Sequence, residues 1–184
     1  MGAIGRPHGI GEQTVKELPE IGRVDEWTPL VIRTDYTDDS AWREVIAALG
    51  RAAGAREWES PAHLVDDRRW DGVTSDEALV AAARDEELSV VFLADGVTMR
   101  SPLRPLLALD LCADDDEDLD PVYYRELIDT PQPREVRVVP DAVHLVHGNL
   151  QLANVDFPEF AEEAAADPDG VVRDLVTAPD GPGS

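Results

Sequence analysis

The sequence predicts an α/β fold: a single domain with a central, mainly parallel sheet of four or five strands and flanking helices. Three observations support this fold class. Short apolar runs alternate with helical stripes in the order β-α-β-α-β, which is typical of right-handed βαβ units. The most apolar run, residues 89–94, is continuous, as expected of a strand buried on both faces. The chain of 184 residues, 43% of them apolar, is long enough to enclose one core.

The first strand and helix are predicted from residue 30 onward. A β-branched apolar run at residues 30–34 follows Pro29 and is typical of a strand. Asp38 or Asp39 can cap the next helix, because a carboxylate accepts hydrogen bonds from the free N–H groups of the first turn. An apolar stripe at spacings of three and four residues predicts one buried helix face: Trp42, Val45, Ile46 and Leu49.

A second strand, weaker than the first, is predicted over residues 60–65. Thr74 and Glu77 have the spacing of a capping box, so a second helix is expected to begin at about Ser75. The continuous apolar run already described then supplies the third strand and completes the second βαβ unit.

Beyond the third strand the pattern becomes irregular. Residues 106–111 and 135–139 predict two further strands, and the second is expected at a sheet edge because Arg137 alternates with apolar neighbours. Asp156 can cap a final helix. The apolar stretch at residues 143–155 has no firm assignment.

Composition divides the chain into three parts. Residues 1–28 are rich in glycine and proline and are expected to form a flexible N-terminal arm. Residues 29–167 form the α/β domain, which includes an acidic insertion loop at 113–132. Residues 168–184 are again rich in glycine and proline and are expected to form a flexible C-terminal tail.

The charge of the chain limits its partners. It has 39 acidic and 16 basic residues, a formal net charge of -23. Such a field repels nucleic-acid phosphates and anionic membrane surfaces, so we expect no nucleic-acid or membrane binding. It favours cationic partners: metal ions, basic peptides or a basic protein.

The remaining composition indicates a cytoplasmic protein. Cys112 is the only cysteine, which excludes an intramolecular disulfide and a cysteine-rich zinc site. No apolar run approaches the roughly 20 residues that span a bilayer. The N-terminus lacks the apolar core of a signal peptide, so the cytoplasm is the expected compartment.

Aspartates follow four of the predicted strands: Asp35, Asp66 with Asp67, Asp95 and Asp110. If these strands are parallel, the carboxylates lie along one edge of the sheet, where open α/β folds place ligand sites. Converging carboxylates can hold Mg²⁺, and Asp35, Asp66 and Asp95 are the candidate ligands. Aspartates that end strands and begin turns or helices produce the same pattern. The sequence leaves both interpretations open.

No catalytic motif accompanies these aspartates. Lys16 is the only lysine, so the cation that usually neutralises a transferring phosphoryl group must come from an arginine. The sequence contains no nucleophile elbow, no Walker loop and no dinucleotide-binding glycine fingerprint. His144 and His147 would share a helix face, but two imidazoles are too few ligands for zinc.

Two asparagines, Asn149 and Asn154, enclose an apolar stretch that leads to the last helix. Buried side-chain amides there would fix the loop backbone by hydrogen bonds. The alternative is ligand binding. The candidate binding residues are therefore Asp35, Asp66, Asp67, Asp95, Asn149 and Asn154.

Five segments of the chain resemble an uncharacterised family of small acidic proteins from actinobacteria. They are residues 30–39 with Trp42, 65–67 with 71–72, 92–95, 137–140 and 149–157. The resemblance covers residues 29–165, and its first and last segments are the most specific. Because the family has no known function, the resemblance implies a single compact domain and no activity. The N-terminal arm and the acidic insertion depart from the family pattern.

These observations favour a non-enzymatic, cytoplasmic protein-binding module, either immunity- or antitoxin-like or an accessory protein. Its acidic face would meet a basic protein partner, and no cofactor is expected. The alternative is a divalent-metal-dependent hydrolase or phosphotransferase that uses Mg²⁺ or Mn²⁺ at the strand-end aspartates. A structural subunit of a larger assembly is a third hypothesis.

Overall fold

A computed structural model describes residues 18–22, 25–55, 62–112 and 132–173. Within these ranges the chain forms one five-stranded sheet and five α-helices. The strands are β1 Leu30–Arg33, β2 His63–Val65, β3 Val90–Ala94, β4 Leu106–Asp110 and β5 Glu135–Val138. The helices are α1 Asp39–Ala55, α2 Ser75–Ala82, α3 Gly96–Arg100, α4 Val143–Gln151 and α5 Phe157–Ala166. The acidic insertion, apart from residue 132, lies outside the described residues, as do 1–17 and 174–184 of the two termini.

The sheet is mixed, so the prediction of a mainly parallel sheet was wrong. The strand order is β2-β1-β3-β4-β5. Strand β1 pairs in parallel with β2 and β3, whereas β4 is antiparallel to both β3 and β5. The reason lies between β3 and β4, where α3 has only five residues. Such a helix rises about 7.5 Å, which is less than half the length of a five-residue strand. It cannot return the chain to the start of the sheet, so β4 runs back beside β3.

The local signals for helix starts are confirmed. The Asp38 carboxylate accepts hydrogen bonds from the N–H groups of Ser40 and Ala41 at 2.8 and 3.0 Å. Thr74 and Glu77 form the reciprocal bonds of a capping box. Each of these bonds satisfies N–H groups that a helix start otherwise leaves unpaired. The unassigned stretch from residue 143 begins with a helix, α4.

Helices cover both faces of the sheet and create two core clusters. Neighbouring residues of β1 point to opposite faces, as the pleat requires, so Val31 belongs to one cluster and Ile32 to the other. The first cluster lies under α1, α4 and α5 and includes Trp42 from the predicted stripe. The second lies under α2 and includes Trp70, which is fully buried. Helices α1 and α2 therefore lie on opposite faces.

Short segments at the two ends of the described chain pack against the sheet. Leu18 and Ile21 contact the second core cluster. Val172 forms a parallel bridge with Val138, and its N–H donates to the carbonyl of Arg137 at 2.8 Å. This contact covers part of the outer edge of β5. None of the helices in the described ranges is long and apolar enough to cross a bilayer.

The buried side chain of His147 holds the segment around Glu26, which leads into β1. His144 and His147 lie one turn apart in α4, and both are buried. Nε2 of His147 lies 3.0 Å from the carbonyl oxygen of Glu26, so this nitrogen carries the proton and donates it. Burial favours the neutral ring and lowers the pKa of His147 to about 4.

Acidification is expected to destabilise the fold through His147. Its pKa is 6.5 when unperturbed and about 4 in the folded chain, so the unfolded state binds more protons between these values. The free energy of unfolding should fall by about 3 kcal/mol as the pH drops from 6.5 to 4. His147→Gln keeps an N–H donor for Glu26 but cannot titrate, so its pH profile should be flatter. Urea unfolding of both proteins across this range measures the difference, and parallel profiles would contradict the assignment.

Candidate functional site

Four of the predicted site residues lie at one edge of the sheet, which we name the carboxyl edge. Strands β1, β2 and β3 are parallel and end there, so Asp35, Asp66, Asp67 and Asp95 follow them at this edge. Asp110 lies at the opposite edge because β4 is antiparallel. The expectation that all five carboxylates share one edge was therefore wrong for Asp110.

Arg33 is the centre of the first group of contacts at the carboxyl edge. Arg33 is only 3% exposed, although its guanidinium is charged. Nη2 donates to the Asp39 carboxylate at 2.6 Å, and Nε donates to the backbone carbonyl of Asp35 at 3.0 Å. Nη1 lies 3.5 Å from the Asp66 carboxylate. These acceptors balance a charge that is costly to bury without partners.

Aromatic side chains enclose this guanidinium. Its carbon lies 4.2 Å from the ring centroid of Tyr36 and 5.6 Å from that of Trp42, within the range of cation–π contacts. The indole N–H of Trp42 donates to Asp66 at 2.9 Å. Burial, followed by the nearby Asp66 charge, raises the pKa of Tyr36 well above its usual value. Asp66 therefore stabilises the packing of Arg33 and Trp42.

Asp95 forms a second group of contacts with Arg137. Nη1 and Nη2 of Arg137 donate to the two oxygens of Asp95 at 2.9 and 2.7 Å, a bidentate ion pair. Asp95 also caps α3 by accepting from the N–H groups of Val97 and Thr98. Burial alone would raise the pKa of Asp95, but the bonds from Arg137 and Thr98 outweigh it and hold this pKa below its usual value.

Asp35 differs from the other three aspartates. Asp67 pairs with Arg69 in an exposed contact at 2.6 Å. Within the described residues, no guanidinium nitrogen lies within 4 Å of the Asp35 carboxylate, and its Oδ1 accepts from the backbone N–H and hydroxyl of Thr37. A Cβ atom on Gly96 would lie 2.9 Å from Oδ2 of Asp35 and 2.8 Å from Nη1 of Arg100. The absence of a side chain at Gly96 thus leaves room for both groups between β1 and β3.

This position is the switch point of the sheet. Strand β2 pairs with one side of β1 and the next strand, β3, pairs with the other side, and open α/β folds place their ligand sites at such a point. Asp35, Gly96 and Arg100 border it. No three histidine, cysteine, aspartate or glutamate side chains in the described ranges are arranged to hold a metal ion.

The predicted asparagines lie far along the chain from this edge, in and after α4. The side-chain amide of Asn149 donates to the carbonyl of Leu145 at 2.8 Å, one turn earlier in the helix. Its backbone carbonyl accepts from the N–H of Asn154 at 2.9 Å. Asn154 is exposed. The contacts of Asn149 are those of helix and helix-end chemistry.

A groove that the sequence did not reveal lies between residues 18–22 and the connection from α2 to β3. Its volume is about 570 Å³. We name it the acidic groove because four carboxylates and one guanidinium line it: Glu20, Asp85, Glu86, Glu87 and Arg84. Residues 84–87 are visible in the sequence as a charged run. Their proximity to Glu20, more than 60 positions away, follows only from the packing of the N-terminal segment.

Comparison with known protein families identifies the family of this chain. Residues 28–175 match a family described as a domain of unknown function, DUF6924. The chain belongs to this family. No curated protein and no solved structure matches the chain. The resemblance to an uncharacterised family is thus confirmed, and the match includes the whole sheet and all five helices. Residues 18–22, which form one wall of the acidic groove, lie outside it.

Replacing Arg137 with methionine is expected to reverse the pKa shift of Asp95. Burial, which favours the neutral acid, would no longer be offset by the guanidinium, so the pKa of Asp95 should rise above 3.8. The free energy of unfolding should fall by about 1–3 kcal/mol, as expected when a partly buried carboxylate loses its charged hydrogen bonds. NMR titration of the carboxyl carbon and urea unfolding measure the two effects.

Arg69→Met is the matched control for this experiment, because it removes an arginine from an exposed pair. It should leave the pKa of Asp95 unchanged. In the parent protein the depressed pKa of Asp95 stabilises the fold above the unfolded pKa, and this contribution is lost as the pH falls through the folded value. An unshifted Asp95 in Arg137→Met would contradict the role assigned to the ion pair.

Proposed function

We propose that the protein is a non-enzymatic, cytoplasmic binding module that offers an acidic face to a basic protein partner. An immunity- or antitoxin-like role, or that of an accessory protein, fits this proposal. The arrangement of charge carries it: several arginines in the described chain pair with carboxylates of the same fold, while exposed carboxylates such as Glu159, Glu162 and Glu163 form no ion pair among the described residues.

Several arginines pair with a carboxylate of the described ranges within 4 Å, among them Arg33, Arg69, Arg104, Arg137 and Arg173. The pairs of Arg33, Arg104 and Arg137 connect different parts of the fold. The pair of Arg104 with Glu44 links the loop before β4 to α1 at 2.9 Å. Basic groups that already hold a carboxylate contribute little to the external field.

The exposed carboxylates therefore dominate the surface field. Helix α5 presents Glu159, Glu162 and Glu163 to solvent, and the connection before β3 presents Glu86 and Glu87. With a net charge of -23, the protein should attract a basic partner from a distance and accelerate its association. The same field disfavours a nucleic-acid partner.

No specific observation favours the alternative of a metal-dependent hydrolase or phosphotransferase. Asp95 is held by Arg137, and Asp66 by Trp42 and Arg33. Of the three candidate ligands, only Asp35 has a carboxylate without a guanidinium nitrogen within 4 Å among the described residues. A single carboxylate is too few ligands for a stable Mg²⁺ site.

Affinity capture from the native host tests the binding proposal. The bait is the full-length protein, and the control bait is an unrelated acidic protein of similar net charge. A basic protein should be enriched on the first bait only, and its affinity should fall steeply as salt is added, because exposed charges are screened. The proposal fails if no protein is enriched over the control bait.

Divalent cations provide a separate test. We expect Mg²⁺, Mn²⁺, Ca²⁺ and Zn²⁺ at fixed ionic strength to raise the thermal midpoint slightly and to similar extents, because they screen repulsion among carboxylates. Asp35→Asn should not change this response. A saturable rise with one ion that disappears in Asp35→Asn would instead identify a bound metal, because a ligand of the folded state stabilises it by mass action.

A further inference from the structure

We propose that the acidic groove is the place where the basic partner docks. The occupant is a short segment of that partner in which arginine or lysine residues flank an aliphatic side chain. This inference rests on the proposed function and adds its site and the chemistry of the segment that is bound.

The apolar base of the acidic groove favours an aliphatic side chain of the partner. Ala82 and Leu88 are buried members of the second core cluster, and half-buried Ile21 packs against the same cluster. All three line the groove, so its base is an extension of the core. A volume of about 570 Å³ lies within the usual range of ligand pockets and admits a few side chains. Removing an aliphatic side chain from water at this base stabilises the complex.

The rim of the acidic groove favours cationic groups on either side of that anchor. Glu20 and Glu86 come from opposite walls, and both are exposed. Neither forms an ion pair or side-chain hydrogen bond in the described chain, so both are available to a partner. Arg84 is the one cation on the rim, and the four carboxylates outnumber it. The charge of the groove therefore complements a basic segment.

One wall of the acidic groove is held in place before a partner arrives. The side-chain amide of Gln151 donates to the carbonyl of Glu87 at 3.0 Å, and its oxygen accepts from the hydroxyl of Ser89 at 2.7 Å. The carboxylate of Asp85 accepts from the N–H of Glu87 at 3.1 Å. These bonds hold the connection from α2 to β3 against α4, so a partner does not have to order this wall when it binds.

An exposed tryptophan lies at the same edge of the sheet. Trp27 is 54% exposed and precedes β1, and the groove wall precedes β3, which is the parallel neighbour of β1. Tryptophan is enriched among the residues that dominate binding energies. Trp27 offers a larger partner an apolar contact beyond the groove itself.

Fluorescence anisotropy with a defined peptide tests the site. The probe is a labelled short peptide in which arginine alternates with leucine. Glu20→Gln with Glu86→Gln removes two charges from the rim, and Glu162→Gln with Glu163→Gln removes two exposed charges from α5. The first pair should weaken binding about fivefold or more, and the second less than about twofold. Replacing leucine with serine in the peptide should also weaken binding. Equal thermal midpoints of the three proteins exclude an effect on folding.

Each other outcome overturns a defined part of the proposal. Equal weakening by both variant pairs, or no effect of the serine peptide, would show that the acidic groove is not the docking site, while the binding function remains. Failure of the peptide to bind, alongside a partner enriched by affinity capture, would also overturn the groove alone. Failure of both the peptide and the capture would overturn the function as well.

Discussion

The carboxyl edge depends on the burial of one charge, the guanidinium of Arg33. A buried arginine must find acceptors for its donors, and here they come from three elements. The carbonyl of Asp35 follows β1, Asp39 begins α1, and Asp66 follows β2. Trp42 packs against the same guanidinium and donates to Asp66. The ends of two strands and the start of one helix are therefore fixed relative to one another.

The ion pair of Asp95 with Arg137 extends this principle across the sheet. It connects the end of β3 to β5, although β4 lies between them. The Asp95 carboxylate also caps α3, the short helix after which the chain turns back as β4. The carboxylates that looked like a metal site in the sequence thus hold the mixed sheet together. Asp35, at the switch point, is the exception.

The same use of arginine inside the fold shapes the surface outside it. Each internal pair withdraws one cation and one carboxylate from the external field, so the net charge of -23 comes from carboxylates outside these pairs. At the opposite edge of the sheet, four carboxylates line the acidic groove, and buried Leu88 of the second core cluster lies at its base. Apolar surface within a charged rim is the usual composition of a recognition site. The acidic groove has this composition, which supports its proposed role as a docking site.

The local features are readable from the residues alone: the capping box of Thr74 and Glu77, the apolar strands, the net charge and the buried stripe of α1, except for Ile46, which is exposed. These depend on spacings within one or two turns, so the pattern of residues contains them. The direction of β4, and with it the position of Asp110 at the opposite edge, depends on the assembled sheet. The assembled sheet also decides the partner of Asp95, because Arg137 is 42 positions away. Such pairings are fixed by how the sheet assembles, and no local spacing encodes them.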